Sequence, residues 1–291
     1  MTKEKFVYRL LGMYLNAFTR VWPQKGGKTV FKLFCTPKPR EIHPEEMEFL
    51  QTARQGEIDF QGQSIRTYTW GTGPKKILLV HGWQSLSARW KPLAETLIGS
   101  EFTLHAYDAP GHGLSGGKQF TIPDNAELIH RMMEEPFEAV VGHSLGSLSL
   151  LYASSRHTLP EIKKWVLMAP PISLNDLVSL FQTTLSLNPG TMNRMIGEMQ
   201  AATPGGLETF DSAQLVTNLL STPGLIIHDR DDDRVPYGNA IALAAVWPQA
   251  RLVSTRGLGH RLRSTEVHRL AANFILEPGE EQNYRSATSN T

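Results

Sequence analysis

The fold class that the sequence predicts is α/β: a mostly parallel, twisted sheet with helices on both faces, interrupted by one inserted helical cap. Three observations predict it. Short apolar runs alternate with helical patterns from residue 58 almost to residue 276, the rhythm of strand–helix–strand units. Most of those runs are three to five residues of nearly continuous apolar character, as expected of strands covered on both faces. One long interval, Ile172 to Leu220, has helical patterning and no strand signal, which reads as an insertion.

Along the chain, residues 1–56 read as a helical extension. Lys3 and Lys5 precede an apolar stretch that superficially resembles a secretory signal, but Arg9 and Arg20 leave too short an uncharged run for a signal or a span. Val7, Leu10, Leu11, Tyr14, Phe18 and Val21 recur at helical spacing, and this stripe is expected to pack against the protein's own core. A dimer contact or shallow membrane attachment are the alternatives. After a Pro-rich connector from Thr36 to Pro44, Ile58 to Trp70 reads as an opening antiparallel hairpin.

Ile77–Val80, Thr103–Tyr107, Ala139–Val141, Trp165–Met168, Leu225–Ile227 and Arg251–Ser254 read as buried strands. Helical patterns at Ser87–Ile98, Asp124–Glu134, Leu145–Ser155, Tyr237–Val246 and Ser264–Ile275 lie between and after them. Residues 57–171 and 221–276 thus form the α/β domain, with a cap at 172–220 punctuated by Asn188-Pro189-Gly190 and Pro204-Gly205-Gly206, and a flexible tail at 277–291.

Composition narrows the function classes. The 291 residues are 41% hydrophobic and 20% charged, enough for a large core. Lys and Arg number 29 against 28 for Asp and Glu, so the overall charge of +1 recruits neither nucleic acid nor acidic lipid and suits small neutral substrates. The single cysteine, Cys35, forbids an internal disulfide and fits a cytoplasmic setting, with its thiol read as a small hydrophobe. Ten scattered histidines without a His-Glu-x-x-His pattern, and no Walker or Gly-x-Gly-x-x-Gly string, give no reason to expect a metal or cofactor.

Chemistry concentrates in Val140-Val141-Gly142-His143-Ser144-Leu145-Gly146, an apolar strand, a Gly-x-Ser-x-Gly pattern and a helix in immediate succession. That is the arrangement of a nucleophile elbow, in which glycines admit a tight turn and the serine is held strained and exposed. A serine hydroxyl is a poor nucleophile at neutral pH and needs a base and a group to orient it. In this architecture the order is Ser, then acid, then His, which leaves His260 and His268. His260 sits in the loop Gly257-Leu258-Gly259-His260, whereas His268 lies within a helix and is expected to face solvent. The acid comes from the cluster Asp229, Asp231, Asp232 and Asp233.

In His81-Gly82-Trp83, Gly142-His143-Ser144-Leu145-Gly146 and the segment from Leu225 to Pro236, the chain resembles the α/β-hydrolase superfamily, over about residues 57–276. The resemblance implies an acid three residues before Val235-Pro236, hence Asp232, with Asp231 as runner-up; Asp229 departs from the pattern, where a glycine is common. Asp229 and Asp233 are expected to bond loop amides or neighbouring arginines. It further implies an oxyanion hole from the backbone amides of Trp83 and Leu145, and a structural role for Asp108-Ala109-Pro110-Gly111-His112-Gly113. The Trp83 indole is equally a pocket wall or a packing group, and Met192, Met195, Ile196 and Met199 are candidates to roof an apolar pocket.

The function so implied is a serine esterase, with Ser144, His260 and Asp232 cleaving carboxylic or thioesters of small apolar acyl groups through an acyl-enzyme. An acyltransferase or perhydrolase would use the same triad, and a ligand-binding protein of this fold would retain it. The expected partner is a small-molecule ester, with no nucleic acid and no membrane span; a homo-oligomer is left open.

Overall fold

The computed structural model describes residues 3–38, 40–99, 101–203 and 205–277; the tail expected at 277–291 lies, but for its first residue, outside them. Eight strands form one sheet in the order β1-β2-β4-β3-β5-β6-β7-β8. β1 (Arg54–Phe60) and β2 (Gln63–Trp70) are the opening hairpin, and β2 also pairs antiparallel with β4 (Phe102–Tyr107). β3 (Lys75–Val80), β4, β5 (Phe137–His143), β6 (Ile162–Met168), β7 (Gly224–Asp229) and β8 (Ala250–Thr255) run parallel. The strand signals in the sequence all fall within these strands.

Strand alternation divides the core between the two faces. Leu78, Val80 and Val140 point into a cluster with Leu148, Leu151 and Trp247, while Ile77, Leu79 and Val141 point into another with Trp90, Leu93 and Phe274. The first face carries α5 (Ile122–Met132), α6 (Leu145–Arg156) and α10 (Gly238–Val246); the second carries α3 (Pro44–Gln51), α4 (Lys91–Leu97) and α11 (Thr265–Leu276). β3 lies between β4 and β5, so the strand order reverses there, the kind of point at whose carboxyl strand ends open α/β sheets bind ligands.

Between β6 and β7 lie α7 (Asn175–Leu185), α8 (Pro189–Ala202) and the short α9 (Ser212–Leu215), flanked by 3-10 turns. Asn188 caps α8, its side chain accepting from the Thr191 amide at 2.8 Å. Met192, Met195 and Met199 are buried in the same cluster as Leu15 and Val30, so they are packed by the amino-terminal helices.

Those helices are α1 (Lys3–Val21) and α2 (Pro23–Phe34), which pack on α7 and α8. A Cβ at Gly12 would lie 1.5 Å from the Leu185 carbonyl oxygen, and Asn16 bonds both the Ser186 carbonyl (3.1 Å) and the Asn188 amide (3.0 Å). Only glycine permits this approach, and it fixes which side of α1 turns inward. The outcome corrects the expected packing of the stripe. Tyr8, Leu11, Gly12, Leu15 and Thr19 face the protein, whereas Val7, Leu10, Tyr14 and Val21 stand about half or more exposed. Cys35 is buried at the end of α2, where burial and the nearby Asp124 push its thiol up to about 12.

Candidate active site

Ser144 occupies the turn between β5 and α6 with φ 52° and ψ −124°, a strained conformation that α6 and β5 impose from either side. A Cβ at Gly146 would meet the Val80 carbonyl oxygen at 2.3 Å, and one at Gly82 would lie 2.7 Å from the His143 carbonyl and 2.9 Å from Ser144 Cβ. These two glycines let the loop after β3 run against the backbone at Ser144.

The structure brings Ser144, His260 and Asp232 together. Ser144 Oγ lies 2.9 Å from His260 Nε2, and His260 Nδ1 lies 2.8 Å from Asp232 Oδ2. The second contact requires the proton on Nδ1, which leaves Nε2 free to accept from the hydroxyl. Asp232 is inaccessible at its side chain and His260 nearly so. Its other oxygen, Oδ1, accepts from the Arg234 and Val235 amides at 2.9 Å each, and His228 Nε2 approaches Oδ2 at 3.2 Å. Burial pushes this carboxyl up, but hydrogen bonds from His228 and His260, the His260 charge and the Val235 amide outweigh it and hold Asp232 far below the usual carboxylate range.

Two neighbouring aspartates serve the loops. Asp231 is exposed and accepts from the Gly257 amide at 2.9 Å; the structure does not place it on His260. Asp229 is buried and accepts from Thr255 Oγ1 (2.6 Å) and from the Asp231 and Leu258 amides, tying the ends of β7 and β8 to the loop that carries His260. His268 corrects the expectation of solvent exposure. It is buried on the face of α11 turned toward the sheet, where its Nδ1 donates to the Ser264 carbonyl at 2.8 Å.

Trp83 follows Gly82 on the loop beside Ser144, and Leu145 opens α6, where the first helical amides lack intrahelical acceptors. The Trp83 indole packs edge-on against His112 and Phe120, with ring centroids 5.6 and 5.9 Å apart. Asp108 lies fully buried beneath, accepting from the Ser87 amide, Tyr68 OH and the Leu114 amide at 2.8–2.9 Å. An open cavity of about 750 Å³, lined by residues of the inserted segment such as Ser173, Gln200 and Asp211, does not include Ser144, Asp232 or His260.

Several positioning groups escape sequence reasoning. His81 Nε2 accepts from the Ala109 amide while Nδ1 donates to the Gly82 carbonyl, and His112 Nε2 accepts from the Gln84 amide while Nδ1 donates to Pro110. Both imidazoles are therefore neutral. Burial is the main cause that pulls His81 down to about 4 and His112 to about 3. Together they pin the loop 81–84. Arg89 Nη1 donates to His143 Nδ1 (2.9 Å), and His143 Nε2 donates to the His260 carbonyl (2.9 Å), so a guanidinium holds the loop that carries His260. Burial first, then the Arg89 charge, holds the His143 imidazole well below its ordinary range. Membership of, or adjacency to, a motif segment was the one signal in the sequence for His81, His112, His143 and His228; Arg89 had none.

Comparison with known proteins finds relatives of the chain. A family model described as an alpha/beta hydrolase family matches residues 77–273. The chain is 25% identical over 237 residues to a pimeloyl-[acyl-carrier protein] methyl ester esterase of Hamiltonella defensa, covering 68% of this chain and 90% of the relative. It is 29% identical to a protein of the same name from Nitrosomonas europaea, covering 68% and 92%. Among solved structures, an alpha/beta hydrolase enzyme from a Medee basin deep-sea metagenome library superposes with a TM-score of 0.60 at 18% identity, over 77% of this chain and 98% of that one.

Proposed function

The chain belongs to the alpha/beta hydrolase family, and from that premise we propose that it is a serine hydrolase that cleaves carboxylic or thioesters of small apolar acyl groups. The observation that carries the reading is the unbroken line from Ser144 Oγ through the imidazole of His260 to Asp232 Oδ2, at 2.9 and 2.8 Å. Methyl ester esterases among the relatives support an ester as the substrate class.

In this mechanism Ser144 attacks the carbonyl carbon as His260 Nε2 takes its proton, and the oxygen that becomes negative is met by the Trp83 and Leu145 amides. The same imidazole returns the proton to the leaving alcohol or thiol. Water then repeats the sequence on the acyl-enzyme. Asp232 keeps His260 in the tautomer that accepts at Nε2 and stabilises the imidazolium. Residues 172–220, inserted between β6 and β7, cap the carboxyl ends of the strands in this reading.

The test is labelling by a fluorophosphonate together with turnover of p-nitrophenyl esters of graded acyl length. The parent protein is expected to label stoichiometrically and to prefer short to medium acyl chains, and Ser144→Ala to lose both properties while keeping its Tm. A folded parent protein that neither labels nor turns over any ester of the series would refute the reading.

A further inference from the structure

The whole-chain balance of +1 conceals a steep asymmetry. From residue 5 to residue 40 the chain has eight basic residues and no aspartate or glutamate, leaving 21 basic against 28 acidic residues elsewhere. This segment is α1 from Lys5 onward, after Glu4, with α2 and the start of the connector that follows. Its outward face is apolar: Phe6, Leu10, Met13, Tyr14 and Val21 are each 48–62% exposed, and Trp22 follows at 52%. At 100° per residue, Phe6, Leu10, Met13, Tyr14 and Val21 fall within an arc of about 100°, turned away from the side that carries Leu11, Gly12 and Leu15. Exposed Arg9 and Arg20 border the arc beside Met13, and Lys25, Lys28 and Lys32 are exposed on α2.

We propose that α1 docks the protein on an anionic membrane surface, its apolar arc entering the headgroup layer while the basic side chains of α1 and α2 meet lipid phosphates. A helix with an aliphatic and aromatic face, a basic margin and a tryptophan at its end has the composition of segments that lie in the bilayer interface. Spanning is a different matter, since no helix among the described residues is long and apolar enough to cross. Charge complementarity selects the occupant. A two-fold dimer across this face would bring two copies of one basic margin together, and a nucleic acid would leave the apolar arc uncovered. Because α1 and α2 pack on α7 and α8, docking turns the side of the inserted segment toward lipid.

The experiment is co-sedimentation of the full chain with phosphatidylcholine vesicles, with or without an equal part of phosphatidylglycerol, at low and high salt. Partition onto the anionic vesicles should exceed that onto neutral ones by tenfold or more and weaken with salt. A blue shift of tryptophan emission should accompany it and be largely lost in Trp22→Phe. Leu10→Glu with Tyr14→Glu should abolish partition while Tm and turnover of a soluble ester stay unchanged. Each basic side chain near such a surface is worth about fivefold, so Lys25→Glu with Lys28→Glu should weaken partition by at least twentyfold. Absence of partition onto anionic vesicles at low salt overturns the proposal, as does a dimer that forms in solution and is abolished by the Leu10 and Tyr14 changes. Neither result depends on whether the protein hydrolyses esters.

Discussion

Replacing Asp232 by asparagine separates it from its neighbours in a way the local geometry specifies. Asp232 Oδ1 accepts from the Arg234 and Val235 amides, and Oδ2 faces two N–H groups, those of His260 Nδ1 and His228 Nε2. An asparagine that keeps the two amide bonds must put its oxygen at the Oδ1 position, because an NH2 there would meet two donors. Its NH2 then points at His260 Nδ1. To avoid opposing N–H groups, His260 moves its proton to Nε2, where it can no longer accept from Ser144 Oγ.

The fold should survive, since both backbone bonds are kept, whereas kcat should fall by ~10⁴, the cost of the wrong imidazole tautomer in serine proteases. Asp231→Asn keeps an acceptor for the exposed Gly257 bond and should change kcat by less than about threefold, in line with a surface contact. Steady-state kinetics on a p-nitrophenyl ester, with circular dichroism as the control for folding, measures both. A ratio reversed between the two variants, or an Asp232→Asn enzyme within tenfold of the parent, would show that the carboxylate at 232 does not set the tautomer of the base.

Three further outcomes follow from the same contacts. Gly82→Ala, whose methyl would press on the His143 carbonyl and Ser144 Cβ, should lower kcat by ~10² or more by displacing the loop that carries the Trp83 amide, with kinetics and near-UV circular dichroism as the readout. Arg89→Met removes a charged donor from His143 and a bond to the Arg261 carbonyl; a loss on the order of 2 kcal/mol, if it falls on the transition state, lowers kcat by about thirtyfold with KM nearly unchanged. For pH, His81 and His112 have folded-state values below the ordinary 6.5, so between pH 6.5 and about 4 the unfolded chain takes up protons that the folded one refuses. Stability is therefore full above 6.5 and declines as pH falls through that window, by on the order of 3 kcal/mol per buried imidazole. Thermal melts from pH 7 to 4 should show the decline, and His112→Gln should shallow it; a Tm flat over this range would contradict neutral, backbone-anchored imidazoles.

Much of the fold and part of the candidate site were legible in the amino-acid order because they rest on local chemistry. Apolar runs set the strands, and the pair of glycines around Ser144 marked a turn that larger residues would block. Chain order alone narrowed the candidate base to His260 or His268, and the loop glycines at 257 and 259 favoured the former. Where the sequence was ambiguous, the deciding contacts join distant segments. Four aspartates within five residues are equivalent as a string, but the turn after β7 aims Asp232 at an imidazole 28 positions away and Asp231 at a loop amide. His81, His112, His143 and Arg89 act on loops 28 to 172 residues distant, so no spacing rule could reveal them. Periodicity likewise identified α1 as amphipathic but turned its stripe toward the core, whereas Val7, Leu10, Tyr14 and Val21 of that stripe stand exposed. Which side turns inward depends on where a backbone can come close: the missing side chain at Gly12 admits the Leu185 carbonyl, and the remaining apolar side is left to the solvent or to whatever covers it.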